Sequence, residues 1–131
     1  MVYYANGQLK RSADYSFNKL NGELLTYYDS GQIKSKTTYN SDDKMGDYEI
    51  WSPNGNKEEV GTYLSNKYHG QIKRWFSNGS PASLSTYKDG MLHGIMQIYS
   101  LSDVIKRESY YKKDNEIARF EYHDNGRFKR V

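Results

Sequence analysis

Residues 70–94 read GQIKRWFSNGSPASLSTYKDGMLHG, and residues 22–46 read GELLTYYDSGQIKSKTTYNSDDKMG. Both segments begin and end on glycine, and between those ends an aromatic residue, a second glycine and a tyrosine fall at matching positions. The same step runs through the chain. Tyr15, Tyr39, Tyr63, Tyr87 and Tyr111 lie 24 residues apart, as do Tyr3, Tyr27, Trp51, Trp75 and Tyr99. Gly22, Gly46, Gly70 and Gly94 keep that step, and so do Gly7, Gly31, Gly55 and Gly79. Several registers on one period mark a repeat array, in which each unit is a supersecondary element that buries its apolar face only against its neighbours. The units run over residues 1–22, 23–46, 47–70, 71–94 and 95–118, with a partial unit at 119–131, and together form one repeat domain.

Each unit reads as two short strands joined by turns. Asn6-Gly7, Asn54-Gly55, Asn78-Gly79 and Asn125-Gly126 recur at one turn, with Ser30-Gly31 as a variant. Asn-Gly tolerates positive φ, so the expectation there is a type I′ hairpin turn. A second polar turn follows each repeated tyrosine, as in Lys88-Asp89-Gly90, and the repeated glycine closes the unit. No segment shows helical periodicity. The fold expected is all-β: an elongated single-layer antiparallel sheet of repeated β-hairpins, a solenoid of about eleven strands. Alternation places Ala13, Thr37, Gly61, Ser85 and Ser109 on the face of the repeated tyrosines, where a small residue leaves room for an aromatic from the first strand. Stripes at Tyr27, Trp51, Trp75, Tyr99 and at the repeated tyrosines are then the packing that replaces an aliphatic core.

Composition agrees. Ile, Leu, Val and Phe make up under a fifth of the 131 residues, yet 20 residues are aromatic and the net charge is only +3. A disordered chain is poor in aromatics. The absence of cysteine excludes disulfides, thiolate metal sites and cysteine nucleophiles. No apolar run approaches the roughly 18 residues that span a bilayer, and the N-terminus lacks a signal-peptide core. That leaves the compartment open between a cytoplasmic protein and a trimmed form of an exported one. The charge asymmetry between the halves is too mild for a nucleic-acid binder.

The repeated pattern, roughly G-x-x-x-x-Y-[YW]-x-N-G-x-[LI] followed by a tyrosine and two glycines, resembles the MORN-repeat variant of bacterial proteins, the YwqK-type antitoxin components among them. That resemblance covers essentially the whole chain. It implies a twisted antiparallel sheet used to bind other proteins, with no catalytic residues to carry over. Departures are local: Asp103 stands for the turn glycine, Ala118 for the closing glycine, and Lys57 and Pro81 for the aliphatic residue. Leucine-rich repeats of similar length need a leucine ladder, which eight leucines cannot supply. Aromatic cages of cell-wall-binding modules use shorter, tryptophan-richer units.

Nothing in the sequence reads as an active site. His69 and His93 share a repeat position and so sit about 10 Å apart, too far for one zinc ion, and His123 is out of register with both. Asp42-Asp43 and Glu58-Glu59 are adjacent on strands and point to opposite faces. No metal and no cofactor is expected. Lys10, Lys34, Lys106 and Lys129 form a ladder that Glu58 and Ala82 interrupt, better read as protection of the sheet than as a lipid site. The position after the first-strand aromatic varies: Tyr4, Tyr28, Ser52, Phe76, Ser100, His123. Opposite parity puts Tyr4, Tyr28 and Phe76 on the other face, as exposed contact residues for a protein partner, a toxin being one option. The alternative is a ligand-binding repeat for a membrane or cell-surface group. The strand at Val2-Tyr3-Tyr4 is expected to leave an open edge that pairs with another chain or with further sequence, and Arg127-Phe128-Lys129-Arg130 to be a charged, protected edge.

Overall fold

Turn chemistry sets the architecture, and the two turns of each unit differ in kind. A computed structural model describes residues 1–123, 125 and 127–129, apart from the Phe128 side chain. At the Asn-Gly turns only the glycine has positive φ, with Gly7, Gly31, Gly55 and Gly79 between 87° and 91°. The glycine N–H donates to the carbonyl three residues back, as from Gly31 to Tyr28 at 2.9 Å. This is a type I turn closed by a left-handed residue, and it replaces the expected type I′ turn. The ladder shifts register beside it at each repeated aromatic, for example between Ile50 and Trp51. The type I′ turns lie at the opposite end of the hairpins. There both central residues are left-handed: Phe17-Asn18, Ser41-Asp42, Ser65-Asn66, Asp89-Gly90 and Lys113-Asp114.

Among the described residues thirteen strands result: β1 (Val2–Tyr3), β2 (Leu9–Ser16), β3 (Lys19–Tyr27), β4 (Ile33–Asn40), β5 (Asp43–Trp51), β6 (Lys57–Leu64), β7 (Lys67–Tyr68), β8 (Gly70–Trp75), β9 (Pro81–Lys88), β10 (Met91–Tyr99), β11 (Ile105–Lys112), β12 (Asn115–Tyr122) and β13 (Phe128–Lys129). All are antiparallel and follow chain order in one open sheet. β7 and β8 form a single row interrupted at His69, whose N–H donates to the Thr62 carbonyl at 2.9 Å. The sheet therefore has twelve rows, one more than the repeat spacing predicts.

The repeated Gly22, Gly46 and Gly94 do not sit in turns. They lie within first strands at φ of 116°, 106° and 109°, a backbone that side chains rarely adopt. There they mark a second bulge in each repeat.

The core is one row running across the sheet. Leu24, Tyr48, Ile72 and Met96, from successive first strands, alternate with Ala13, Thr37, Gly61, Ser85 and Ser109 from second strands. Among the described residues Tyr48 and Ile72 are the buried apolar ones, at 2% and 0% exposure. The small residues do leave room for a large neighbour, as expected. That neighbour is not the aromatic of the Tyr27–Trp51–Trp75–Tyr99 stripe, however, whose members are half-buried. Tyr3 in β1 and Tyr15 in β2 are 57% and 60% exposed. Gly61 shows how tight the row is: a Cβ there would lie 2.3 Å from Ile72 Cδ1 and 2.8 Å from Tyr48 Cε1.

Val2–Tyr3 is paired on one side with Leu9 and Arg11 of β2, so the N-terminal backbone is bonded inward rather than wholly unpaired. The expectation for residues 127–130 falls partly outside the described residues, which omit Arg130 and the Phe128 side chain.

Candidate functional site

At the Asn-Gly end each loop is tied to the next repeat. Tyr4 Oη donates to the Tyr27 carbonyl at 2.6 Å, and Tyr28 Oη donates to the Trp51 carbonyl at 2.7 Å. Asn6 Nδ2 reaches the Asp29 carbonyl and Asn56 Nδ2 the Ser77 carbonyl. Tyr4, Tyr28 and Phe76 are thus half-buried rather than freely exposed, with both tyrosine hydroxyls directed into the neighbouring repeat. Lys10 Nζ lies 5.4 Å from the Tyr4 ring centroid and Lys34 Nζ 5.5 Å from that of Tyr28. Two members of the lysine ladder are therefore partnered by aromatic rings. Burial raises the Tyr28 pKa, and the Glu58 carboxylate adds to the effect.

Trp75, next to Phe76 in the chain, borders two grooves. One, of about 310 Å³, is lined by Trp75, Pro81, Leu84 and Tyr99 with Lys73 and Arg74. The other, of about 360 Å³, is lined by Trp75, Ile50 and Ala82 with Glu58, Glu59 and Arg74. Arg74 is fixed from below. Its Nε donates to Glu59 Oε1 at 2.6 Å, and Tyr48 Oη donates to Glu59 Oε2 at 2.5 Å. Burial opposes the charge of Arg74, but the Glu59 bond and carboxylate more than offset it and its pKa is raised. Glu59 is only 16% exposed, so this ion pair is shielded as surface pairs are not.

On the same face as Tyr48, Tyr63 stacks on Tyr68 at 5.3 Å, and Tyr87 lies 5.1 Å from Tyr68. Lys44 Nζ sits 4.9 Å from the Tyr63 centroid. Tyr68 and Tyr48 fall outside every aromatic register in the sequence, and only the strand pairing reveals that they complete this cluster. Tyr39 and Tyr111 lie in β4 and β11, opposite Gly22 and Gly94. Among the described residues, no group of three or more His, Asp or Glu is arranged to hold a metal ion.

At the type I′ end a second set of ties recurs. Asp42, Asn66 and Asp114 each donate a backbone N–H to the carbonyl of Leu20, Lys44 and Leu92, and each accepts that residue's N–H on Oδ1 at 2.6–2.8 Å. Gly90 at the equivalent place keeps only the backbone bond, to Tyr68 at 3.2 Å. His93 Nδ1 accepts the Lys113 N–H at 3.4 Å, which makes this histidine part of the turn.

The family model of the MORN repeat variant matches residues 1–16, 20–41, 68–89 and 92–113, more than half of the chain. No curated protein matches the chain. Among the described residues no helix is long and apolar enough to cross a membrane.

Proposed function

This chain belongs to the MORN repeat variant family, whose repeats are generally binding modules for membranes or proteins, and from that premise we propose that it is a non-catalytic module that binds another protein. The observation that supports this reading is the row of Tyr4, Tyr28 and Phe76. Two of its rings are held in place by hydroxyl-to-carbonyl bonds into the next repeat. Rings already immobilised lose little freedom when a partner covers them, and aromatic residues dominate interface energetics for that reason. The partner class proposed is a toxin that this chain sequesters as an antitoxin or immunity-like protein, in keeping with the resemblance to YwqK-type proteins.

A membrane reading is less favoured. Lys10 and Lys34 are stacked on tyrosines rather than extended, and Glu58 and Ala82 break the ladder between them and Lys106.

The test is to capture the partner from the source cells, identify it, and rebuild the complex from purified proteins. Phe76→Ser installs the residue that stands at this position in two other repeats, so the fold is kept. Together with Lys10→Glu and Lys34→Glu it should weaken the complex at least tenfold. Unchanged affinity, or binding to anionic vesicles in place of any protein, would overturn the reading.

A further inference from the structure

The row Tyr4, Tyr28, Ser52, Phe76, Ser100 is broken twice by serine. In both of those repeats a groove opens at equivalent positions. Ile50, Glu58, Arg74 and Trp75 line the first, of about 360 Å³, and Ile98, Lys106, Glu121 and Tyr122 line the second, of about 280 Å³. The tyrosines explain why. Tyr4 reaches across to the Tyr27 carbonyl and Tyr28 to the Trp51 carbonyl, and the same step from position 52 ends at the Trp75 carbonyl. Ser52 is too short to take it. Its hydroxyl turns back to Asn54 and to the Asn56 carbonyl, and among the described residues no side chain donates to the Trp75 carbonyl. The groove at Ser52 is thus the place that a tyrosine ring occupies in the first two repeats.

The charge beside it has changed as well. Lys10 and Lys34 lie over the Tyr4 and Tyr28 rings, and Glu58 holds their repeat position at this groove. Glu58 is exposed and, among the described residues, makes no ion pair and no hydrogen bond. Arg74 also lines the groove, but Glu59 holds it at 2.6 Å and offsets its charge. Glu58 therefore sets the sign. A carboxylate repels the electron-rich face of an aromatic ring and attracts a cation, so a partner's tyrosine would restore the volume and meet the wrong charge. An arginine meets both demands. Its guanidinium is flat and cationic, its fork of N–H donors can serve a carboxylate and a carbonyl together, and its apolar stem suits Ile50 and Ala82.

We propose that the groove at Ser52 receives an arginine side chain of a protein partner, with the guanidinium between the Glu58 carboxylate and the Trp75 carbonyl. The partner then supplies from outside what Tyr4 and Tyr28 supply from within the chain. The proposal rests on the protein-binding reading and names the side chain that the interface selects.

Its test titrates acetyl-GGRGG-amide into the full chain while backbone amide shifts are followed by NMR. Parallel peptides carry tyrosine, citrulline or glutamate in place of arginine. The arginine peptide should shift the Glu58, Ser77 and Ala82 amides saturably, and the other three should bind at least fivefold more weakly. Ser52→Tyr installs the residue of the first two repeats, so the fold is kept, and its ring should close the groove and abolish the shifts. Ser100→Tyr, the same change at the second groove, should leave them as they are. Glu58→Lys, at an exposed position, should weaken the arginine peptide at least tenfold and let the glutamate peptide bind. No saturable shift at millimolar peptide, equal or tighter binding of the tyrosine or citrulline peptide, or retained binding by Ser52→Tyr would overturn the proposal. If a captured protein partner binds the Ser52→Tyr chain with full affinity, the protein-binding reading stands and this proposal fails.

Discussion

The centre of the sheet and its C-terminal third solve the same packing problem with different residues. At β10 and β11, Met96 lies between Ser85 and Ser109. At β5 and β6 the large residue is Tyr48, and the small residue beside it has shrunk to Gly61. The family model matches the first of these regions and passes over residues 42–67. The hairpin in that gap is nevertheless regular, and it holds Tyr48, one of the two buried apolar side chains among the described residues. What persists between the two regions is therefore the combined volume of a neighbouring pair, not the identity of either member. Gly61 is not needed for its backbone, since it is not among the residues with positive φ. It is needed for space.

The largest expected effect tests the contrast directly. Tyr48→Ala removes a fully buried ring and leaves Glu59 without one of its two partners, so a loss of about 3–5 kcal/mol is expected in urea unfolding. Met96→Ala, at the same repeat position but less buried, should cost less. Equal losses would show that the centre is not the better packed region.

Adding volume sharpens the same point. Gly61→Ala should cost about 1–3 kcal/mol, the range for overpacking a tight site. The nearest obstacle is Ile72 Cδ1, an atom that valine lacks. In an Ile72→Val background the alanine should therefore cost measurably less, as a double-mutant cycle would reveal. Additive losses would refute pairwise volume compensation.

Alkaline pH probes the central phenols. Burial, followed by the hydrogen bond to Glu59, drives the Tyr48 pKa strongly upward, while burial and then Tyr68 push Tyr63 up to about 12. Below pH 10 both folded and unfolded chains keep these protons, and the stabilisation is complete. Above it the unfolded chain ionises first, so stability falls as pH rises, by at most about 1.4 kcal/mol per pH unit for each phenol. Tyrosinate absorbance and loss of the sheet signal should rise together for these two residues. Full ionisation with the sheet intact would contradict the burial that distinguishes the centre.

The smallest effect concerns Gly90, where the side-chain tie of the type I′ end is missing. Asn tolerates left-handed backbone, and a Cβ at Gly90 would meet only the flexible Lys67 side chain, at 3.4 Å. Gly90→Asn should gain up to about 1 kcal/mol by accepting the Tyr68 N–H. A net loss would show that the tie is not worth a hydrogen bond there.

The repeat, the strand order and the positions of the turns were legible because one glycine and one aromatic recur by identity at fixed spacing. The core row was not. Leu24, Tyr48, Ile72 and Met96 share size but not chemistry, so no single letter marks them. The small residues opposite them were visible, yet simple alternation assigned them the wrong partner. The bulge opposite each repeated aromatic puts an extra residue into the second strand, Glu58 in β6, which breaks the parity that connects Lys57 to Gly61. Tyr4 and Tyr28 read as exposed for a different reason. Their hydroxyls find carbonyls 23 residues away, a contact that exists only once neighbouring hairpins are side by side. The grooves at Trp75 draw on three hairpins.

The bulges have a further consequence. Every repeat that carries one at its first-strand aromatic adds the same increment of right-handed twist at the same edge. Successive hairpins then turn in the same sense, like treads around a newel. A unit of 24 residues inserted or deleted at a type I′ turn would shift everything beyond it by one tread and keep the backbone pairing, so that only the side chains meeting at the new junction change. Gene duplication can therefore lengthen or shorten the array without the sequence having to relearn how to close.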